Sequence, residues 1–161
     1  MTVKEYNNCV TTLADGLYRF VLKNIGDSDA AQDIVQDCFL KTWERLDEIR
    51  VETAKSYLFT IAYNATIDFF RRGKKTSSLE QTQVPISQTF QHSSDLSELL
   101  NEAIDRLPAT QKTVILLRDY EGYSYEEIAQ IAGISIDQVK VYIFRARAAL
   151  KKYLVSVETV L

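Results

Sequence analysis

The stretch Ser124–Lys152, SYEEIAQIAGISIDQVKVYIFRARAALKK, spells two helices joined by a very short turn. Ser124 and Glu127 stand in the S-x-x-E spacing of a capping box, which opens a helix by satisfying its first free N–H groups. Ile128, Ala129, Ile131 and Ala132 give that helix an apolar face. Gly133 follows, where a left-handed residue ends a helix without steric cost. Ser135 and Gln138 repeat the capping pattern and start the next helix. A helix, a tight Gly-containing turn and a second helix form the helix-turn-helix arrangement. Such a unit places the start of its second helix in the DNA major groove.

The composition of the second helix agrees with that use. Lys140, Arg145, Arg147, Lys151 and Lys152 are basic, and no acidic residue stands between Gln138 and Tyr153. At about 100° per residue, Val139, Tyr142, Ile143, Ala146, Leu150 and Tyr153 share one face and are expected to pack inward. Lys140, Val141, Phe144, Arg145, Lys151 and Lys152 point away from it. Cations on that side can meet phosphates, and Arg or Lys can read guanine edges. Val141 and Phe144 are apolar yet outward. They are either ordinary surface scatter or contacts to a base edge, such as a thymine methyl.

The chain has 161 residues, a 46% apolar fraction and a formal net charge of −3. That length suits one medium domain or two small ones. A net-acidic chain argues against an autonomous, nonspecific nucleic-acid binder. Asp119, Glu121, Glu126 and Glu127 precede the basic helix, so the positive charge is local, and a larger partner is expected to help position the protein on DNA. No apolar run reaches transmembrane length, and the start MTVKEYNNCV does not read as a signal peptide, so a cytoplasmic protein without membrane insertion is expected. Cys9 and Cys38 have no metal-ligand spacing; Cys38 is expected as a buried, reduced thiol. His92 is the only histidine and has no neighbouring ligands. No metal, cofactor or catalytic site is expected, because the sequence offers no nucleophile–base set, phosphate-cradling glycine loop or ligand cluster.

Helical periodicity dominates the rest, and no alternating strand pattern persists. The expected fold class is all-α: two small helical domains joined by a flexible linker, the C-terminal one containing the helix-turn-helix. In the first, helices are expected over about 3–24, from a cap at Ser28 to about Leu46, and over about 56–72. Residues 74–94, KKTSSLEQTQVPISQTFQHSS, are polar and lack periodicity, which reads as a linker without its own core. Val84, Ile86 and Phe90 are scattered there; no docking role is the default for them. As a flexible chain, these residues have an r.m.s. span of about 25 Å. The second block opens with a helix marked by Leu96, Leu99, Leu100, Ala103, Ile104 and Leu107. Pro108 can begin the next, expected over 111–120, where Val114, Ile115, Leu116 and Leu117 imply burial nearly all round.

Two longer stretches now carry a family resemblance. DAAQDIVQDCFLKTWERL (29–46) followed by KSYLFTIAYNATIDFFRR (55–72) resembles the first helical domain of bacterial sigma factors. LPATQKTVILLRDYEGYSYEEIAQIAGISIDQVKVYIFRARAALKKYL (107–154) resembles their promoter-distal domain. Both occur in order with only a short linker between them, the layout of the extracytoplasmic-function (ECF) group. The resemblance implies residues 1–73 as a region 2-like domain for core polymerase and the −10 element, 74–94 as the linker, and 95–161 as a region 4-like domain for the −35 element. It implies partners: core RNA polymerase, promoter DNA and an anti-sigma factor that clamps the two domains. It implies no catalysis by the chain itself; phosphate contacts supply most affinity for DNA, and polymerase can provide those that a net-acidic chain lacks.

Site residues follow from the same resemblance. Asp33, Gln36, Asp37 and Leu40, three or four apart, would form the core-polymerase surface, with Phe39 and Trp43 behind them as domain core. Tyr57, Asn64, Asp68, Arg71 and Arg72 would serve the −10 element, where a base taken out of the stack must be held. Asn64 can hydrogen-bond a base edge, Tyr57 offers a ring face or belongs equally to the core, and the two arginines can hold the backbone. Lys140, Val141, Phe144 and Arg145 match the positions that meet the −35 duplex, and Arg118 a phosphate-contacting arginine. Relatives often carry a small polar residue and then Arg or His directly after Lys140; Val141 and Tyr142 stand here, so the promoter sequence does not carry over from them. The alternative is a stand-alone, dimeric helix-turn-helix regulator, which would need a dimerisation seam or sensor domain that the sequence does not display.

Overall fold

The computed structural model describes residues 1–76 and 95–160, and among these residues all regular structure is helical. The expected linker lies almost wholly outside them, as do Val84, Ile86, Phe90 and His92. Helix α1 spans Val3–Ile25, α2 Ser28–Glu44 and α3 Ala54–Thr76, with short 3₁₀ turns at Leu46–Glu48 and Val51–Thr53 between α2 and α3. Helices α4 (Asp95–Asp105), α5 (Ala109–Asp119), α6 (Tyr125–Ala132) and α7 (Ile136–Val160) complete the chain.

The helix ends have local causes. Thr2 and Glu5 form a capping box at α1, and Gly26 closes that helix with φ 71°. The cap of α2 is Asp27, not Ser28: the Asp27 carboxylate accepts the Ala30 N–H at 3.0 Å, and Ser28 is already the first helical residue. Asp outcompetes Ser here because its charge also suits the positive end of the helix dipole. Ser124–Glu127 and Ser135–Gln138 make their reciprocal capping bonds at 2.8–3.1 Å. Pro108 stands immediately before α5, which starts two residues earlier than its periodicity predicts.

Helices α1, α2 and α3 pack on one another, and α4, α5 and α6 gather around α7. The two groups do not stay apart. Helix α3 packs on α6 and α5, and α1 packs on α5, so one apolar core runs through both. Phe20, Phe59 and Tyr123 form a continuous aromatic row across the junction, with ring centroids 5.5 and 5.3 Å apart. Lys55 lies 5.0 Å over the Tyr123 ring and Lys23 4.9 Å over Tyr120. Arg19 pairs with Glu121 at 3.3 Å. The buried Lys112 donates to the Asn24 carbonyl at 2.9 Å and pairs with Asp105 at 3.0 Å. A lysine ammonium at the carbonyl end of α1 is favoured by that helix's dipole, and the two acceptors offset its desolvation. The all-round burial of Val114–Leu117 follows: α5 is sandwiched between the two helical groups.

Cys38 is buried among apolar neighbours as a free thiol, as expected, and Cys9 is buried too. Phe39 is core, but Trp43 is not: it is 45% exposed and leans its ring on Tyr6, centroid to centroid 5.1 Å. The inward-facing position on that turn of α2 belongs to Thr42, which is fully buried and bonds back to the Cys38 carbonyl at 2.8 Å. Periodicity placed both aromatics inward, but the packing of α2 turns Thr42 rather than Trp43 toward the core.

Candidate nucleic-acid interface and partner surface

Helix α7 is held by its inner face. Val139, Ile143 and Ala146 are buried against Ile128 and Ile131 of α6, with Tyr142 and Leu150 half-buried beside them. Asp119 at the end of α5 pairs with Arg147 at 2.8 Å, and Tyr153 bonds Glu102 of α4 at 3.0 Å while Arg106 lies over its ring. Arg147 is therefore paired with Asp119 at the surface of the domain, unlike the other cations of α7. Lys140, Val141, Phe144, Arg145, Lys151 and Lys152 all lie exposed on the other side. Ile136, 39% exposed, extends this face toward the start of the helix. It was legible as the residue one turn before Lys140. Arg118 differs from the rest of its set. Its guanidinium donates to the Tyr123 carbonyl at 2.9 Å and lies 4.7 Å over the Tyr125 ring. It ties the end of α5 to the start of α6 and is half-buried.

A second concavity lies between α2 and α3. It encloses about 810 Å³ and is lined by Asp33, Asp37, Lys41 and Arg45 on one side and by Tyr57, Asn64, Asp68 and Arg72 on the other. Residues that the sequence assigned to two separate surfaces thus share one groove. On α3 they fall at 57, 61, 64, 68 and 72, a single face of a helix. Gln36 and Leu40 stand exposed on α2 outside the groove, and Leu40 is 53% exposed. Tyr57 is half-buried and packs on Cys9, Ile49 and Ala54, so its ring serves the core and the groove wall together. Asn64 is exposed. Arg71 pairs with Asp68 but lines a different pocket, at the junction with Asp105, Leu107 and Lys112.

The groove's charge is mixed. Asp33, Asp37 and Glu44 gather on α2, with Asp37 held by Lys41 at 3.1 Å, while Arg72 lies at the far end of α3. On the α2 wall these carboxylates stand against Lys41 and Arg45, so the wall is only slightly acidic, and Arg72 adds a cation across from it. Among the described residues, no group of three or more His, Cys, Asp or Glu is placed to hold a metal ion, and no helix is long and apolar enough to cross a membrane.

Sequence patterns of two families match the two helical groups. Residues 9–76 match Sigma-70 region 2, and residues 97–150 match Sigma-70, region 4. The RNA polymerase sigma factor SigV of Bacillus subtilis is 32% identical over 139 residues, 86% of this chain and 84% of that one. The chain belongs to the ECF sigma factors of RNA polymerase. The sigma-E factor of Streptomyces coelicolor is 31% identical, with 96% of this chain and 88% of the other covered. A solved sigma factor, RpoE of Bartonella quintana in complex with the anti-sigma factor NepR, superposes with a TM-score of 0.78 at 29% identity. It covers 94% of this chain and 98% of that one, so a single superposition spans both helical domains of this sigma factor. CnrH, solved with the cytosolic domain of CnrY, shares the fold with a TM-score of 0.69 at 24% identity over 94% of this chain. This sigma factor is accordingly a transcription initiation factor.

Proposed function

We propose that this sigma factor joins core RNA polymerase, reads a −35 element with the exposed face of α7 and holds a −10 element in the groove between α2 and α3. The observation that carries the reading is the split character of α7: one face locked into a helix-turn-helix core, the other presenting Lys140, Val141, Phe144 and Arg145 to solvent. A helix so mounted offers its first turns to a major groove. Arg145 and Lys140 supply base-edge or phosphate contacts. Arg118 acts from behind, fixing the turn that aims the helix.

In the α2–α3 groove, the exposed Asn64 amide would bond the edge of an unstacked base, with Tyr57 as the wall beside it and Arg72 toward the backbone. The acidic α2 side, Asp33, Gln36, Asp37 and Leu40, would face a basic helical surface of core polymerase, and Trp43 extends its apolar part. The residue ranges 1–73, 74–94 and 95–161 are the proposed functional divisions. An anti-sigma protein that binds across both domains fits the likeness to a sigma factor solved with NepR.

Reconstitution with purified bacterial core polymerase tests the proposal. Promoter-dependent initiation should appear only with the chain present, and Arg145→Ala should lower −35 discrimination by about 1–3 kcal/mol. Tight operator binding by the isolated chain, with no effect on core polymerase, would instead select the stand-alone regulator.

A further inference from the structure

We infer that three buried oxygens at the junction of the two helical groups hold the closed sigma factor close to parting, an inference that rests on the promoter reading proposed above. Among the described residues, the buried side-chain oxygens and nitrogens without a hydrogen-bond partner are Asn24 Oδ1, Thr66 Oγ1 and Tyr123 OH. All three belong to the junction. The Tyr123 ring stands on Phe59 of α3, 5.3 Å between centroids. Thr66 shares one stripe of α3 with Phe59, Tyr63 and Phe70. Tyr63 meets Thr113 of α5, and Phe70 walls a cleft with Leu107, Ala109 and Lys112. Asn24 follows Phe20 by one turn of α1, and its main-chain carbonyl takes the Lys112 ammonium of α5. Its amide is fixed by a bond from Nδ2 to the Phe20 carbonyl at 2.7 Å, which leaves Oδ1 alone.

The core of the first group treats a hydroxyl differently: the buried Thr42 bonds back to the Cys38 carbonyl at 2.8 Å. A polar atom that loses water on closing and gains no partner favours the parted form, roughly tenfold for each such atom. Tyr123→Phe and Thr66→Val would fill nearly the same space without that penalty. The forces that close the junction are chiefly non-directional. They are the burial of the Phe20–Phe59–Tyr123 row and the cations Lys23 and Lys55 over Tyr120 and Tyr123. The ion pair across the rim, Arg19–Glu121, has a half-exposed arginine and is weak in water. The unmet oxygens offset part of this closure. A partner that takes only the separated domains then binds with an apparent affinity that scales with the parted fraction. Core polymerase on a promoter is such a partner under the reading above, and these oxygens set how readily the chain yields to it.

Thiol labelling of the full chain reads the parted fraction. Thr113 is fully buried and meets Tyr63, so the thiol of Thr113→Cys reacts with a reagent in solution only when the groups separate. In that background, Tyr123→Phe and Thr66→Val should each slow labelling about tenfold, and the two together about a hundredfold. Cys38, buried in the first group, should react far more slowly than the new thiol throughout, which shows that parting rather than unfolding is being read. Without the labelling substitution, Tyr123→Phe and Thr66→Val should raise the chain concentration needed for half-maximal promoter-dependent initiation by core polymerase. The rise should match the factor by which labelling slows. Unchanged labelling in both variants overturns the inference, as does one common rate for the new thiol and Cys38. Slowed labelling with an unchanged half-maximal concentration overturns it too. In each of these cases initiation by the natural chain leaves the promoter reading standing. If the natural chain initiates from no promoter, that reading fails and the inference with it, whatever the labelling rates.

Discussion

Gly133 turns the chain between α6 and α7 with φ 70°, and a Cβ built there would meet nothing within 4 Å. The site is roomy but left-handed, so Gly133→Ala tests backbone strain without a steric clash. It should cost about 1–2 kcal/mol, read as a lower urea midpoint with near-native helix content at low urea. A loss well beyond that would mean that the turn carries contacts the geometry does not include. Cys38 makes a different prediction. Burial pushes its thiol from an ordinary 9.0 up to about 12, and burial likewise raises the hydroxyls of Tyr63 and Tyr123. These groups stay protonated in the folded chain while the unfolded chain ionises, so their stabilisation is full below the unfolded values and is lost as pH climbs toward the folded ones. The urea midpoint should hold steady up to about pH 8 and fall above about pH 9. Cys38→Ala should flatten that fall relative to its own neutral-pH value. An equal slope with and without the thiol would show that Cys38 is not part of it.

At the scale of single helices, the face of α2 is where the sequence and the structure part company most usefully. Leu40 and Trp43 both lie exposed, next to Gln36 and Asp37 on the same outward side. If that side meets core polymerase, Trp43→Ala should weaken association without unfolding, because the residue is 45% exposed and outside the buried core. Replacing Asp33 and Asp37 together by asparagine should do the same through charge. Competition against another sigma factor for a limited supply of core polymerase reads both; undiminished competition by either variant removes its residues from the surface. Helix ends were legible because a cap is a local bargain: Ser124 and Glu127, or Ser135 and Gln138, satisfy N–H groups within a turn of themselves. The inner and outer faces of α7 were legible from its period for the same reason. Which of two bulky residues, Phe39 or Trp43, wins an inward position depends on the neighbouring helices, and periodicity is silent about neighbours. Arg118 shows the same limit. Its matching position was visible, but its bond to the Tyr123 carbonyl needs the fold.

Across the whole molecule, the apolar row Phe20–Phe59–Tyr123 joins two domains that the composition of the chain presents as separate. A hint in the sequence was the run Val114–Leu117 of α5, which implied burial nearly all round and so more cover than one small domain supplies. Closure has a consequence for promoter binding. A compact chain of this length has a radius of gyration of about 15 Å. The −10 and −35 elements lie roughly 25 base pairs apart, about 85 Å along a straight duplex at 3.4 Å per step. The closed molecule cannot place α7 on one element and the α2–α3 groove on the other. Reading both requires the domains to separate, which breaks Arg19–Glu121 and the Lys112 bond to the Asn24 carbonyl and uncovers Phe59 and Tyr123. The Tyr123 hydroxyl is buried with no partner among the described residues, so water reached on opening satisfies it and lowers the cost of separation. Arg19→Cys with Glu121→Cys, joined by a short bismaleimide, would hold the domains together, while Cys9 and Cys38 escape modification through burial and raised thiol pKa values. The joined chain should lose promoter-dependent initiation with core polymerase, and the same double variant left unjoined should retain it. Undiminished initiation by the joined chain would show that the junction does not have to open.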